Sequence, residues 1–456
     1  MVAGRSETGV EAPTGMSPYQ FAVVALCCLC NVADGFDVLS LAVAAPVLSK
    51  EWHVDPAIMG MLFSSVAVGL TIGAFVVAPF ADRIGRRPVM LGALGTLAGT
   101  LLLTGLAGDI WHLLALRFIT GIGLGTLVVC LNTTVAEYSS PKARNIAMAV
   151  LHMGFTAGMM LGSAIAAMVV ETIGWRAVFF SAGAFNVVTF VLSIFLLGES
   201  RGFLARRQGP KDLSALNRLH RRMHLAPLAE MPPQRERAGE FRVALTGMLG
   251  KSMRTQTILV WVASLTYAIV GYFLLNWKPT ILANAGLTPS LAAASGIITG
   301  ACGAMGHLAM GLFARRVGEG RLTAIFFALA AVTLVIFGIQ PPDPIPLLAM
   351  AGITTFFVVG AYTGLFLVSV VIYPDTIQNT ALGFIVGFGR VGAIFGPMLG
   401  GFLLSAGMGR MDTYFVFSAI AVIPAVAMHL ANRYAVRARA AKTTASSGEL
   451  HAEPVR

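Results

Sequence analysis

Long apolar runs, each about the length of a membrane span, dominate the chain and are separated by short polar stretches. The runs are continuous rather than alternating, which is typical of transmembrane helices and not of transmembrane strands. The pattern predicts six helices on each side of a polar stretch at residues 199–256. The twelve predicted helices cover residues 21–45, 57–80, 89–108, 111–137, 146–170, 177–198, 257–283, 291–314, 321–340, 345–373, 382–405 and 412–433.

The composition agrees with this pattern. Of the 456 residues, 56% are hydrophobic and 12% are charged, and a soluble protein of this length cannot bury so much apolar surface. The predicted fold class is an all-α polytopic membrane protein with two six-helix halves. Its parts are an N-terminal tail (1–20), a first half (21–198), a central loop (199–256), a second half (257–433) and a C-terminal tail (434–456).

Basic residues predict the orientation in the membrane. All but six of the 32 Lys and Arg lie in the two tails, the central loop, or the loops after the second, fourth and eighth helices. Lysine and arginine accumulate on the cytoplasmic side of membrane proteins, so both termini and the central loop are predicted to be cytoplasmic. This distribution accounts for the net charge of +11 without nucleic-acid binding.

Part of the central loop has two open interpretations. Leu213, Leu216 and Leu219 have helical spacing, and three arginines lie near them, namely Arg218, Arg221 and Arg222. This pattern is typical of a short amphipathic helix on the inner leaflet. A solvated linker between the two halves fits the composition equally well.

Two carboxylates, Asp34 and Asp37, stand in the middle of the first apolar run. Each acid costs on the order of 3 kcal/mol in a bilayer core, and at this spacing both share one face of a helix. Gly35 between them lets a neighbouring helix or a ligand approach. The pair indicates a site that handles protons or substrate, with a structural contact between helices as the alternative.

Arg117 begins a glycine-rich stretch of the fourth helix, followed by Gly121 and Gly123. The glycines allow close packing of helices. A buried arginine stays charged and needs an acidic partner, for which Asp34 and Asp37 are the candidates. A purely structural ion pair is the alternative to a functional one.

The loop after the second helix is highly charged and predicts a cytoplasmic latch. Asp82 can interact with the positive end of a helix in the other half, and the arginines of the loop can pair with Glu137. That acid lies twenty residues, about 30 Å, beyond Arg117 along the fourth helix, which places it at the cytoplasmic end. The residues predicted to control gating are Asp82, Arg83, Arg86, Arg87 and Glu137.

The two halves share a glycine pattern that relates Arg390 to His152. Arg390 is a cation within the eleventh helix, and a cation facing a cavity is a natural partner for a carboxylate. His152 is its counterpart in the fifth helix and is either a proton relay or a hydrogen-bonded interface residue. The matching glycines are Gly154, Gly158 and Gly162 in the fifth helix, and Gly392, Gly396 and Gly400 in the eleventh.

The seventh helix carries candidate substrate contacts. Tyr267, Tyr272 and Trp277 offer aromatic faces to a planar ligand, although aromatic residues in such helices also serve packing, and Trp277 suits an interfacial anchor. Lys278 lies near the outer end of this helix. It either extends to the membrane interface or meets an incoming anion.

Together these motifs resemble the Major Facilitator Superfamily and, within it, the aromatic acid:proton symporter family, over nearly all of residues 20–430. The signature G-x3-D-R-x-G-R-R is matched with Ala78 in place of its first glycine. The resemblance implies a proton-coupled importer of benzoate-like ring carboxylates in a bacterial inner membrane. It also implies essential roles for both acids of the first helix, for Asp82 and for Arg390, and a part in proton coupling for Arg117. The expected protein is a monomer without a metal or cofactor.

Three positions depart from the family pattern. Gln378 replaces a basic residue after the tenth helix, Arg315 replaces the acid of the second latch, and Lys278 stands where leucine or threonine is common. An exporting proton antiporter is a rival interpretation, but such proteins carry Gly-Pro where Gly158 is followed by methionine here. A sensor that binds ligand without transport is a second rival. An enzyme is not expected, because the chain has no metal-ligand spacing, nucleophile motif or phosphate-binding loop.

Overall fold

A computed structural model of the chain describes residues 15–207, 210–231, 240–250 and 253–450. It contains twelve helices that are long and apolar enough to cross a membrane, which confirms the predicted fold class. The first six are α1 to α6, at Pro18–Glu51, Pro56–Ile84, Arg86–Gly105, Ile110–Tyr138, Arg144–Val169 and Trp175–Leu196. The last six are α10 to α15, at Arg254–Asn284, Pro289–Val317, Glu319–Ile339, Pro344–Ile372, Asp375–Ser405 and Arg410–Leu450.

The described part of the central loop forms three short helices, which we call α7 (Arg201–Arg207), α8 (Pro210–Arg222) and α9 (Glu240–Met248). Several membrane helices are longer than their apolar runs. Helix α1 continues past residue 45 to Glu51, α14 begins at Asp375 rather than at residue 382, and α15 continues to Leu450 in the segment predicted as a tail. Residues 1–14 and 451–456 of the predicted tails, and the side chain of Arg315, lie outside the described residues.

The chain forms two compact units. The first runs to Ala44 and resumes from Ser65 to Glu236, and the second contains Ala45–Ser64 and the chain from Arg237. Residues 45–64 therefore pack with the second unit, where a Cβ on Gly60 would lie 2.8 Å from the carbonyl oxygen of Pro397 in α14. The assignment of this segment to the second unit is not visible in the hydrophobic pattern.

Glycines set the crossing of α1 and α5 in the first unit. A Cβ on Gly158 would overlap the carbonyl oxygen of Val32, and a Cβ on Gly35 would overlap that of Phe155. The same arrangement joins α10 and α14 in the second unit, where Gly396 meets the backbone of Ile269. The glycines that the sequence aligns between the halves therefore make equivalent backbone contacts, which small residues permit in membrane helices.

The predicted short helix of this loop is present as α8, but its apolar side packs on the first unit. Leu216 and Leu219 are buried among residues of α1, α3 and α4, and Arg222 lies over the ring of Tyr19 at 5.5 Å. Asn217 closes the following turn through two hydrogen bonds with the backbone of Leu228. The apolar side of this helix therefore contacts protein, because the first unit supplies an apolar surface that sequence periodicity cannot identify.

Candidate functional site

Helix α1 buries both acids of the first apolar run inside the first unit. Asp34 is 3% exposed and Asp37 is 1% exposed. The backbone of α5 touches α1 at Gly35 between them, so the glycine accommodates a helix at this position. The acids thus lie in packed protein at membrane depth, where carboxylates are costly and rarely without a role.

Arg117 of α4 pairs with Asp37, which resolves the choice between the two acids. Its Nη1 lies 2.8 Å from Oδ1 of Asp37, and both side chains are 1% exposed. The other amino group donates to the hydroxyl of Thr120 at 3.0 Å, and the guanidinium carbon lies 5.2 Å from the centre of the Phe179 ring. The charge of Arg117 is therefore balanced by one carboxylate and supported by a hydroxyl and an aromatic face.

Only one of the two carboxylate oxygens of Asp37 takes part in the ion pair. Oδ2 of Asp37 has no hydrogen-bond partner among the described residues, and neither does Nε of Arg117. Protonation of Asp37 would neutralise the only carboxylate paired with this arginine in the described part of the chain. The part of this pair in proton coupling stays a prediction.

The charged segment at the junction of α2 and α3 forms an ion-pair cluster within the first unit. Arg86 pairs with Glu137 of α4, as its position predicted. Asp82 pairs with Arg206 of α7 at 3.0 Å, within the same unit. Arg83 lies over the ring of Phe80, 5.9 Å from its centre. The role of these residues in gating stays a prediction.

Glu199 is a member of this cluster that the sequence did not reveal. Its carboxylate accepts hydrogen bonds from the backbone N–H groups of Arg86 (2.9 Å), Arg87 (3.2 Å) and Ser200 (2.9 Å). It thereby caps the start of α3, directly after the turn at Gly85, whose φ is +107°. In the sequence it is one acid beside a basic loop, and only the fold brings it to that turn.

Two neighbouring basic side chains complete the cluster. Nε of Arg87 donates to the carbonyl of Leu197 at 2.8 Å, which ties the loop to the end of α6. Burial lowers the pKa of the Arg201 guanidinium, while the carboxylate of Glu137 raises it. This end of the first unit is thus held by several charge-assisted hydrogen bonds rather than by one.

Arg390 and two tyrosines lie together in the second unit. Arg390 is partly buried on α14, and its Nη1 donates to the hydroxyl of Tyr272 at 3.4 Å. Tyr267 stacks on Tyr362 of α13 with ring centres 5.1 Å apart, and Tyr362 lies within electrostatic range of Arg390. Among the described residues, Arg390 has no carboxylate partner. The arrangement can hold a carboxylate beside aromatic rings.

Tyr362 is the second residue that sequence reasoning missed. It lies in an apolar helix where an aromatic side chain is indistinguishable from a packing residue. Only the fold shows that it stacks on one predicted substrate contact and lies near another.

Trp277 and Lys278 are both largely buried, and the burial of Trp277 does not suit an interfacial anchor. Trp277 is 2% exposed, donates its indole N–H to the carbonyl of Pro397 at 2.9 Å, and packs edge-on against Phe63. Lys278 is 7% exposed as a whole residue. A role for Trp277 or Lys278 in substrate binding stays a prediction.

His152 is exposed on α5. It precedes Gly154 by two residues, as Arg390 precedes Gly392, and both glycines lie in the equivalent helix crossings of their units. The counterpart relation predicted from the sequence therefore has a structural basis. A role for His152 in proton transfer or substrate binding stays a prediction.

Comparisons with known proteins agree with these features. A sequence profile of the Major Facilitator Superfamily matches residues 27–372. A gallate transporter of Pseudomonas putida is 30% identical over 92% of this chain and 93% of its own. The 4-hydroxybenzoate transporter PcaK of the same organism is 29% identical over 86% and 88%. The benzoate transport protein of Acinetobacter baylyi is 25% identical over 91% and 90%.

A solved structure supports the fold. A bacterial homologue of the human lysosomal transporter Spinster superposes with a TM-score of 0.70 at 17% identity, covering 93% of this chain and 98% of that chain. The profile match and the transporter relatives exclude an enzyme. The chain therefore belongs to the Major Facilitator Superfamily, and its relatives include aromatic acid transporters, as its motifs predict.

Proposed function

We propose that this protein imports an aromatic carboxylate together with protons, by alternating access, across the inner membrane of a bacterium. Its relatives are named as transporters of gallate, 4-hydroxybenzoate and benzoate, which favours a ring carboxylate as substrate. The observation that carries the proton coupling is the buried ion pair of Asp37 and Arg117. We further propose that the transporter acts as a monomer with both termini in the cytoplasm.

In the proposed cycle, a proton from outside binds Asp34, Asp37 or both. A neutral carboxyl group at Asp37 no longer balances the charge of Arg117, so its formation releases Arg117 from its partner. The freed guanidinium then stabilises a second arrangement of the helices around it. Asp34 lies on the same helix face and is the second acid of the coupling site.

The substrate carboxylate is bound by Arg390, whose guanidinium can donate two parallel hydrogen bonds. The aromatic ring packs against Tyr267 and Tyr272, and His152 of the first half is a further candidate contact. Binding of both proton and substrate favours the inward-open arrangement. The ion pairs of Asp82 and Arg86 at the cytoplasmic end break and re-form during this change.

Uptake into proteoliposomes tests this function. The purified full chain would be given labelled benzoate, 4-hydroxybenzoate, protocatechuate, vanillate or phthalate, with and without an acid-outside pH gradient. We expect accumulation of at least one compound above equilibrium only with the gradient. Efflux of preloaded compound driven by the same gradient would support the exporting antiporter, and binding without flux would support the sensor.

Asp34→Asn tests the role of this acid in proton coupling, and Asp343→Asn is its control. Asp343 is an exposed acid at the N-terminal boundary of α13, where asparagine is equally suited. We expect Asp34→Asn to abolish gradient-driven accumulation while the protein stays folded, and Asp343→Asn to leave it unchanged. Full accumulation by Asp34→Asn would show that this acid takes no part in coupling.

A further inference from the structure

Tyr267 and Tyr362 carry hydroxyl groups that the packing of the second unit does not use. Their rings stack with centres 5.1 Å apart and planes at 17°, and each ring also makes an edge contact, with Phe327 and Phe366 respectively. Neither hydroxyl has a hydrogen-bond partner among the described residues. Because the rings alone make these contacts, phenylalanine would serve equally well at both positions if packing were their only role.

The hydroxyl oxygens of these two tyrosines are accessible, which distinguishes them from other unbonded tyrosines of the chain. Tyr19, Tyr373 and Tyr414 also lack a hydrogen bond at the hydroxyl, but protein encloses their oxygen atoms. Tyr267 and Tyr362 are only partly buried, and their oxygens are not among the enclosed ones. A polar group at membrane depth is costly without a partner. Because the two oxygens are accessible, a ligand can supply that partner.

Both hydroxyls lie close to the Arg390 site. The hydroxyl of Tyr362 is within electrostatic range of Arg390 and of Tyr272, whose own hydroxyl accepts a hydrogen bond from Arg390. Tyr267 and Tyr272 start from different faces of α10, but a Cβ on Gly271 would lie 3.5 Å from the Tyr267 hydroxyl. The Tyr267 side chain therefore runs along the helix toward Tyr272, and the two are within electrostatic range of each other. The stacked rings thus direct their polar ends toward the region of the guanidinium.

We infer that Tyr267 and Tyr362 form a subsite for a ring hydroxyl beside Arg390, and that they make the transporter prefer hydroxylated aromatic acids to unsubstituted ones. The inference rests on the proposed function, because Arg390 holds the carboxylate of the same ligand. A phenol can both donate and accept a hydrogen bond, so one tyrosine can donate to the substrate hydroxyl while the other accepts from it. Two neutral phenols suit a neutral hydroxyl, whereas a second carboxylate would be better matched by a cation.

Equilibrium binding to the purified full chain tests the inference with three probes. They are benzoate, 3-hydroxybenzoate and 4-hydroxybenzoate, which share the ring and the carboxylate and differ only in the hydroxyl. The variants are Tyr362→Phe and Tyr267→Phe, each of which removes one hydroxyl and keeps the ring stack. Tyr434→Phe is the matched control, because it removes the hydroxyl of a tyrosine in α15 that is 46% exposed.

We expect the wild type to bind at least one of the two hydroxybenzoates more tightly than benzoate. Tyr362→Phe and Tyr267→Phe should each weaken binding of that compound by about three- to tenfold, the size of one neutral hydrogen bond, with benzoate binding unchanged. Tyr434→Phe should preserve the wild-type preference. Unchanged benzoate binding also reports that the variants are folded and that their carboxylate site is intact.

Three results would overturn the inference while leaving the proposed function in place. The first is a wild type that binds benzoate at least as tightly as both hydroxybenzoates. The second is an equal loss for all three compounds in the two variants, which would indicate that the tyrosines only support the structure of the site. The third is a wild-type preference that persists in both variants. A wild type that binds no aromatic acid would overturn the proposed function as well.

Discussion

Asp37 and Arg117 depend on each other because both are removed from solvent. Each is 1% exposed, and their charged atoms lie 2.8 Å apart. Replacing one member of a buried ion pair leaves the other charge uncompensated, at a cost of about 3–5 kcal/mol, whereas removing both charges is often nearly neutral. Stability and proton coupling should therefore respond differently to single and double substitutions at this pair.

Asp37→Asn and Arg117→Gln should each lower the free energy of unfolding by about 3–5 kcal/mol, and the double variant should recover most of that loss. Proton-driven uptake should be absent in all three, because none retains a titratable acid paired with a cation. Thermal unfolding in detergent and uptake into proteoliposomes measure the two effects. A double variant as unstable as the two losses combined would mean that the charges do not interact.

The sequence identified these charged residues because an apolar background makes each one visible. It predicted the pairing of Arg86 with Glu137, but it could not choose between Asp34 and Asp37 for Arg117. Helical spacing places Asp34 and Asp37 on one face of α1, but it does not show which of the two acids lies beside Arg117 of α4. Tyr362 could not be identified from the sequence, because an aromatic residue in an apolar run cannot be distinguished from a packing residue.

At the scale of helices, glycines determine how closely two helices can pack, because they place no side chain between the two backbones. Backbone atoms of α5 occupy the space that a Cβ on Gly35 would need, and those of α1 occupy the space of a Cβ on Gly158. Adding a methyl group there forces the helices apart, and such overpacking costs about 1–3 kcal/mol. The sequence predicted which glycines correspond, but not which helix each one faces.

Gly35→Ala should destabilise the protein by about 1–3 kcal/mol, and Gly99→Ala should not. Gly99 is the matched control because it lies in helix α3 of the same unit and a Cβ there would meet nothing within 4 Å. Alanine at that position should stabilise the helix by about 0.5–1 kcal/mol. Thermal unfolding in detergent measures both changes. Equal stability of the two variants would mean that α1 and α5 can separate without cost.

For the whole molecule, the hydrophobic pattern predicted the number and type of the membrane helices because each span must satisfy its backbone internally. The grouping of residues 45–64 with the second unit depends on tertiary packing, and so does the contact of α8 with the first unit. The distribution of basic residues predicts the orientation of the chain in the membrane. The loops at the two ends of each span are predicted to face opposite compartments.

Cysteine labelling at the two ends of α5 tests this orientation. Thr172 and Lys142 are both exposed and lie beyond opposite ends of that helix. We expect a membrane-impermeant maleimide to label Thr172→Cys in intact cells and Lys142→Cys only after permeabilisation. The wild type reports labelling of the native cysteines. The reverse pattern would place the termini outside and contradict the positive-inside assignment.

The equivalent glycine contacts allow positions in the two halves to be matched without sequence similarity. Gly158 meets Val32 and Gly396 meets Ile269, so the counterparts of Asp34 and Asp37, two and five residues further on, are Gly271 and Leu274. The two halves thus share these helix crossings but differ in their charged residues: α1 carries two acids, whereas Arg390 in α14 has no carboxylate partner among the described residues. We therefore expect substitutions around Arg390 to alter substrate recognition without disturbing the acids of α1 or the helix crossing that supports them.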